Sequence, residues 1–265
     1  MILNAKEMKN TPFLDSRGEA GSSGNLYIAE TETGAKYLVK SNPVDVANEY
    51  VAHLVARKIG VPTSDAVLIT DHNNIRVGIA FENDFKMVPW DDFLGKEEYE
   101  SKVPIYVNGR PYKTPLPSVV KYSDDDSLLK ELMAYLAFRT LIVIEDNVQI
   151  ALVGGHLISF DYAESFYLTE GSFSRLLQGG GIKRQVQLFS DHLYLECGYR
   201  HSIEFLHRKD SDALLDAYLD PVFAFQDSDF GFIINELKSV FPQNVPAFYN
   251  NCFDLIKREI DRLGE

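Results

Sequence analysis

Two pairs of apolar stretches in the first third of the chain predict two β-hairpins. Each stretch alternates or runs apolar and is bounded by turn-forming residues, which is typical of antiparallel strands. The pairs are Asn25–Glu30 with Ala35–Lys40, and Ala66–Thr70 with Ile75–Phe81. Gly34 closes the turn of the first pair and is suited to a positive φ.

A helix is predicted between the two hairpins, over Asp45–Ile59, because apolar side chains recur there with a period of 3.6 residues. Asp45 is suited to cap its beginning and Gly60 to end it. The apolar stripe consists of Val46, Tyr50, Val51, Leu54, Val55 and Ile59. One helix against an antiparallel sheet of four or five strands predicts a compact N-terminal lobe over residues 1–83.

The remainder, residues 84–265, predicts a larger and mainly helical lobe. Aromatic residues and prolines over 83–120 favour irregular structure, and a long Leu- and Ala-rich helix is predicted over Leu128–Ile144. A hairpin follows, from Asp146–Val153 to His156–Asp161. Further amphipathic helices are predicted near 203–219, 230–240 and 246–263, and Gly179–Gly181 marks a break. The fold class is therefore α+β, in two lobes.

Composition and charge exclude some classes of function and location. The chain has 265 residues, 45% of them hydrophobic, and a formal net charge of −13, which indicates a folded protein and argues against nucleic acid as its main partner. No apolar run approaches the length of a membrane-spanning helix, and MILNAKEMKN lacks the apolar core of a secretory signal. Cys197 and Cys252 are widely separated, as expected of a cytoplasmic protein without structural disulfides.

The loop Ser16–Gly24 contains three glycines and three serines ahead of the first hairpin. It lacks the motif of a P-loop, but the backbone amides of such a loop can still cover phosphates, with Ser22, Ser23 and Gly24 nearest the strand. The alternative is an N-terminal loop with no ligand.

Lys40 ends an apolar strand, and Glu49 follows nine residues later, early in the predicted helix. A strand lysine paired with a helix glutamate is the arrangement with which protein kinases hold a lysine against nucleotide phosphates. The alternatives are a strand-end charge at Lys40 and a solvated helix charge at Glu49.

Two aspartates end apolar stretches within Ile142–Phe166, and the hairpin between them brings Asp146 and Asp161 close together. Mg²⁺ with bound phosphates is usually held by one or two carboxylates and an amide. Asp161 with Asn147 or Gln149 can supply these ligands, which leaves Asp146 to orient an attacking hydroxyl. The alternative is a pair of turn aspartates.

In combination these features resemble the HipA-like kinases, bacterial relatives of the protein kinase and phosphatidylinositol kinase fold. The resemblance is strongest over Tyr37–Ile69, in Y-L-V-K and in N-E-Y-V-A-H-L-V-A-R-K-I-G-V-P-T-S-D-A-V-L-I. It implies that Lys40 is the nucleotide lysine and Glu49 its helix partner. It also places Phe81 and Glu82 near the hinge that meets the adenine.

The resemblance further implies that Asp146 is the catalytic aspartate and that Asp161, in S-F-D-Y-A-E-S-F, is the metal aspartate. Many members read D-x-H-x-x-N, with the second metal ligand five residues after the catalytic aspartate. Position 151 is an alanine in this chain. Some shorter members read D-x-x-Q, which Asp146–Gln149 matches, so Gln149 is the first candidate for the second metal ligand and Asn147 the reserve.

The implied fold is a bilobal protein-kinase-like one, and the implied reaction is ATP- and Mg²⁺-dependent phosphoryl transfer to a Ser or Thr hydroxyl of a protein. Relatives often phosphorylate a serine in the loop equivalent to Ser22 and Ser23. The alternatives are a pseudokinase that binds nucleotide or a partner without transfer, and a kinase of a lipid or small molecule. A protein substrate is expected, a regulatory partner protein is left open, and neither nucleic acid nor a membrane is expected as a partner.

Overall fold

The structure is a computed structural model of the chain. It describes residues 2–12, 26–40, 43–71, 74–80, 86–88, 105–107, 110–112, 126–144, 150–167, 169–179, 181–196, 202–205 and 210–264.

Within these described residues, a six-stranded sheet forms the N-terminal lobe. Its strands are β1 (Ile2–Asn4), β2 (Met8–Pro12), β3 (Tyr27–Thr31), β4 (Lys36–Lys40), β5 (Ala66–Asp71) and β6 (Asn74–Ala80), in the spatial order β1-β5-β6-β4-β3-β2. The two predicted hairpins are confirmed, as β3–β4 and β5–β6. Gly34 has the expected positive φ, of 83°.

The two edge strands of this sheet were not predicted, so the expectation of four or five strands was wrong. β1 pairs in parallel with β5, whereas β2 pairs with β3 at the opposite edge. Only the 3₁₀ turn Ala5–Glu7 separates β1 from β2 in sequence. A short link between opposite edges requires the sheet to curl. Neither segment alternates clearly, and β1 has a partner more than sixty residues away, so local pattern does not identify these strands.

Helix α1 spans Pro43–Lys58 and confirms the predicted helix, although its beginning differs. Asp45 lies inside the helix instead of capping it, because Pro43 already starts the first turn, where the missing N–H of proline costs no hydrogen bond. At the other end Gly60 has a φ of 79°, as expected of a glycine that ends a helix.

The second lobe is mainly helical. Its helices are α2 (Asp126–Ile142), α3 (Glu170–Gly179), α4 (Ile182–His192), α5 (Ser211–Asp227), α6 (Gly231–Val240) and α7 (Asn244–Asp261), followed by the 3₁₀ turn Arg262–Gly264. Its short strands are β7 (Lys86–Val88), β8 (Ile105–Val107), β9 (Arg110–Tyr112), β10 (Ile150–Val153), β11 (His156–Ser159), β12 (Tyr194–Glu196) and β13 (Ser202–Glu204). Strands β10 and β11 form the predicted hairpin, and β7 pairs with β10 on its other side.

One expectation for this lobe was wrong. The helix predicted near 203–219 is displaced, since Ser202–Glu204 is a strand and α5 runs over Ser211–Asp227. Pro221 lies inside α5, where its ring normally argues against a helix. The helices near 230–240 and 246–263 correspond to α6 and α7.

A continuous hydrophobic core joins α1 and the inner face of the sheet to the helices of the second lobe, from Val46 to Ile260. The other face of the sheet carries a small separate cluster of Ala29, Tyr37, Val39, Val67 and Ile69. Helix α1 therefore lies between the sheet and the helical lobe. Among the helices of the described residues, none combines the length and apolar character needed to span a bilayer.

Candidate functional site

Lys40 lies at the end of β4, where its backbone pairs with Val77 of the central strand β6. Its ammonium nitrogen is 2.9 Å from the Glu49 Oε2 and also contacts the Asp161 Oδ1. The Lys40 side chain is only 14% exposed. Three of the residues predicted from sequence, Lys40, Glu49 and Asp161, are thus brought together between the two lobes.

Glu49 is fully buried in the second turn of α1. Its Oε2 accepts hydrogen bonds from Lys40 Nζ and, at 2.8 Å, from the backbone N–H of Tyr162. Its Oε1 lies 3.2 Å from the His53 Nε2. The alternative of a solvated helix charge at Glu49 was therefore wrong. A buried carboxylate requires compensating donors and a cation, and here it has both.

The ionised pair is stable because each charge compensates for the burial of the other. Burial alone raises the pKa of Glu49, but the attraction of Lys40 and the hydrogen bond from His53 outweigh it and lower the pKa from 4.5 to about 2. Burial alone lowers the pKa of Lys40, whereas Glu49 and Asp161 together raise it above its ordinary value. Both groups are charged at neutral pH.

Asp161 follows β11 in the left-handed region, with a φ of 63°. Aspartate is among the few non-glycine residues that adopt this conformation readily. The adjoining backbone is anchored by the hydrogen bond from Tyr162 N to Glu49, and Ser159 N donates to Pro62 O at 3.2 Å. The Asp161 side chain is 31% exposed, so this carboxylate is accessible while its backbone is held in place.

The other predicted site residues lie outside the described residues. They are Asp146, Asn147, Gln149, Phe81, Glu82, Ser22, Ser23 and Gly24. The described residues that flank 145–149 are Ile144 and Ile150, and both are buried. Arg139 on α2 donates to the Ile144 carbonyl oxygen at 3.3 Å and so holds one flank of that segment.

Sequence reasoning missed several polar residues around Glu49. His53 contacts Glu49 from the next turn of α1, and Asn48 donates to the Ala163 carbonyl at 2.9 Å. Tyr249 on α7 donates to the Asn48 Oδ1 at 2.6 Å. The sequence signal for these contacts was the three polar residues 48, 49 and 53 among the apolar residues of the predicted helix. Polar groups that are buried in this way are generally hydrogen-bonded.

This arrangement provides a cation and an accessible carboxylate at the junction of the lobes. A lysine ammonium attracts phosphate oxygens, and a carboxylate is a preferred ligand of Mg²⁺. Both groups are held by backbone anchors on β4, α1 and the segment after β11. The geometry is therefore suited to a phosphorylated ligand that is bound with a divalent cation.

No protein-family model matches the chain, and no curated protein matches its sequence. Among solved structures, the chain is similar to the Helicobacter pylori proinflammatory kinase CtkA, with a TM-score of 0.54 and 13% sequence identity over 99% of this chain and 96% of that one. At this identity the likeness shows the fold alone.

Two further structures are less similar to the chain, with TM-scores below 0.5. HipA of Shewanella oneidensis, in a complex with HipB and operator DNA, has a TM-score of 0.42 and 10% identity over 97% of this chain and 63% of that one. The Golgi casein kinase with Mn/ADP bound has a TM-score of 0.38 and 9% identity over 90% and 68%. The curled sheet, the helical second lobe and the likeness to CtkA together establish a bilobal, protein-kinase-like α+β fold.

Proposed function

We propose that this protein is a HipA-like kinase that transfers the γ-phosphoryl group of ATP, with Mg²⁺, to a Ser or Thr hydroxyl of a protein. The observation that carries the proposal is the contact of Lys40 with both the buried Glu49 and the accessible Asp161. In kinases a lysine held by a helix glutamate binds nucleotide phosphates, and a nearby aspartate binds the metal. We also propose a cytoplasmic location, where ATP and Mg²⁺ are supplied.

The residues present fit ATP and Mg²⁺. Lys40 would bind the phosphates, and Asp161 would hold the metal together with Gln149 or Asn147. Bound Mg²⁺ would neutralise charge on the phosphates. Asp146 would orient the attacking hydroxyl and accept its proton. Positioning and charge neutralisation would supply most of the rate enhancement, as in other phosphoryl transfers.

The test is incubation with labelled ATP and Mg²⁺, with transfer measured to a mixture of candidate proteins and to the chain itself. We expect wild-type protein to incorporate label, and Lys40→Ala and Asp146→Ala to lose it. Lys36→Ala is the matched control, because it removes the lysine at the other end of the same strand, β4, four residues before Lys40. Mass spectrometry of the labelled chain reports directly on Ser22 and Ser23.

A second candidate function is nucleotide binding without transfer, and the identity of residue 151 favours it. Where many HipA-like kinases have a metal-binding asparagine, this chain has Ala151, which is fully buried on β10 and pairs with Ile158 and Met87. An alanine side chain has no atom that can bind a metal. Wild-type protein that binds Mg·ATP but transfers no phosphate would support this second function and contradict the first.

A further inference from the structure

We propose that His53 is a positioning residue that holds Glu49 towards Lys40 and links Glu49 to the segment that carries Asp161. The proposal rests on the proposed nucleotide function, because its consequence is the position of Lys40. His53 is fully buried on α1, one turn after Glu49. A buried histidine is stable only when its ring nitrogens have hydrogen-bond partners.

The first contact of His53 is with the carboxylate. Glu49 Oε2 is already engaged by Lys40 and the Tyr162 backbone, whereas Oε1 lies 3.2 Å from His53 Nε2. A carboxylate oxygen only accepts hydrogen bonds, so Nε2 is the donor in this contact. With both oxygens bound, the carboxylate cannot rotate without losing a partner at a fully buried position.

The second contact fixes the orientation of the ring. His53 Nδ1 lies 2.9 Å from the Ser64 carbonyl oxygen and 2.8 Å from Thr63 Oγ1. Both partners belong to the segment before β5, so they are not part of α1. The imidazole is therefore held from the side opposite Glu49, and Nε2 points at the carboxylate as a consequence.

The third contact reaches the segment that carries Asp161. The His53 ring packs edge-on against the Tyr162 ring, with centroids 4.8 Å apart. Thr63 Oγ1 donates to the Ser159 carbonyl at 3.0 Å and lies 3.3 Å from the Tyr162 hydroxyl. His53 thus contacts the Glu49 side and the Asp161 side of the Lys40 site at once. A leucine would fill the space but supply no donor.

The experiment is a double-mutant cycle between His53 and Glu49, read by the affinity for Mg·ATP in calorimetry. We expect His53→Leu to weaken nucleotide binding about tenfold, the typical effect of removing a hydrogen bond to a charged group. His53→Gln retains an N–H donor and should recover part of the loss. In a Glu49→Met background, which leaves no acceptor for His53, His53→Leu should change the affinity by less than about twofold, because its effect passes through Glu49.

Val55→Ala is the control for a purely structural effect. Val55 is fully buried on the same helix, so its truncation should lower the melting temperature while nucleotide affinity stays within about twofold of wild type. If Val55→Ala weakened nucleotide binding as much as His53→Leu at a similar loss of stability, His53 would be a structural residue only. Equal effects of His53→Leu with and without the Glu49 carboxylate would also overturn the proposal.

A parallel cycle on urea unfolding without nucleotide separates this proposal from the proposed function. Wild-type protein that binds no Mg·ATP refutes the nucleotide function, and the unfolding cycle then decides the role of His53. Coupled losses of stability would support the contact with Glu49, and strictly additive losses would overturn it. If His53→Leu does not fold, His53→Gln replaces it in both cycles.

Discussion

Both oxygens of the Glu49 carboxylate are bound, and this single residue connects the sheet, helix α1 and the segment after β11. Its partners are Lys40, His53 and the backbone of Tyr162. Removing one member of a buried ion pair typically costs about 3–5 kcal/mol, because the remaining charge is left uncompensated. The stability of the fold and the geometry of the site therefore depend on the same side chain.

The first prediction concerns the pH dependence of folding. The pKa of Glu49 is about 2 in the folded protein and 4.5 ordinarily, so between these values the unfolded chain binds more protons. Stability from this group is fully present above about pH 4.5 and is lost as the pH falls towards 2, by about 3 kcal/mol in total. Urea unfolding from about pH 5.5 down to about pH 3 should show more than half of this loss in wild type and a flatter profile in Glu49→Gln.

An exposed carboxylate provides the control for that profile. Glu32 lies in the turn between β3 and β4 and is exposed, so Glu32→Gln should follow the wild-type profile. A Glu49→Gln profile as steep as that of wild type would contradict the assignment of the buried ion pair.

The second prediction concerns Asp161 and its left-handed backbone, with a φ of 63°. Asparagine tolerates this conformation, whereas a β-branched residue is strained there. Asp161→Asn should therefore keep the melting curve close to wild type but lose the Mg²⁺-dependent part of nucleotide binding. Asp161→Val should lose both stability and binding. Calorimetry with and without Mg²⁺, together with thermal melts, would check both variants.

At the scale of elements, α1 acts as a buried connector between the lobes. Residues 46–56 are buried except for the half-buried Leu54, so this helix has no extended solvent face. Its polar side chains reach the second lobe, since Asn48 accepts from Tyr249 on α7 and Tyr50 donates to Glu236 on α6 at 2.7 Å. Two C-terminal helices therefore hold the helix that carries Glu49.

The third prediction tests this connection. Tyr249→Phe removes the hydroxyl that donates to the Asn48 Oδ1 and leaves a buried acceptor without that donor, which typically costs about 1–3 kcal/mol. Urea unfolding should show this loss. Tyr167→Phe is the matched control, because Tyr167 is 39% exposed and its change should stay within about 0.5 kcal/mol. Equal effects of the two variants would contradict the proposed connection.

The fourth prediction concerns Gly78, at the centre of β6, where β4 and β5 pair on either side. A Cβ there would lie 2.8 Å from Ile69 Cδ1 and 3.0 Å from Tyr37 Cβ, so Gly78→Ala should destabilise the sheet by about 1–3 kcal/mol through overpacking. Gly171 in α3 has no atom within 4 Å of the same position. Gly171→Ala should leave the stability of the protein unchanged or raise it, because alanine favours a helix. Thermal melts of both variants beside wild type would check this difference.

Local patterns in the sequence were sufficient to predict the elements that carry Lys40, Glu49 and Asp161. Apolar alternation predicted the hairpin whose second strand ends at Lys40, and the 3.6-residue period predicted the helix that carries Glu49. Gly154–Gly155 predicted the turn of the β10–β11 hairpin before Asp161. Strand β1 was missed because it has three residues and its partner β5 lies more than sixty residues away. The bounds of α5 were also predicted wrongly because of tertiary context. Its internal Pro221 disfavours a helix locally, and the folded protein nevertheless accommodates it.

The burial of Glu49 could not be predicted from local pattern. A glutamate near the start of a helix is usually solvated, and the groups that compensate its charge include Tyr162, 113 residues away. Likewise, the partner of Asn48 on α7 is 201 residues away. The resemblance of the motifs indicated which residues to pair, but the donors that make the pair stable become visible only in three dimensions.

At the scale of the whole molecule, the two lobes share one hydrophobic core. The cluster that contains Val46 and Val55 of α1 continues through α2 to Ile256 and Ile260 of α7. Among the residues that the structure describes, the outer face of the sheet contributes a buried cluster of five residues. The fold is therefore two-lobed in shape, but the buried apolar surface that stabilises α1 is supplied from both sides.

The last prediction follows from this shared core, and it concerns residues 1–83 as an isolated fragment. Without the second lobe, α1 would lose the part of the shared apolar core that lies in that lobe, and the buried Glu49 and Asn48 would lose Tyr162 and Tyr249 as donors. A fragment of this size is already marginal in the surface it can bury. We expect it to show no cooperative thermal transition by far-UV circular dichroism, whereas the full chain in the same buffer unfolds in one transition. A fragment that melts cooperatively would mean that the sheet and α1 form an independent unit, and that the shared core adds stability without being required for folding.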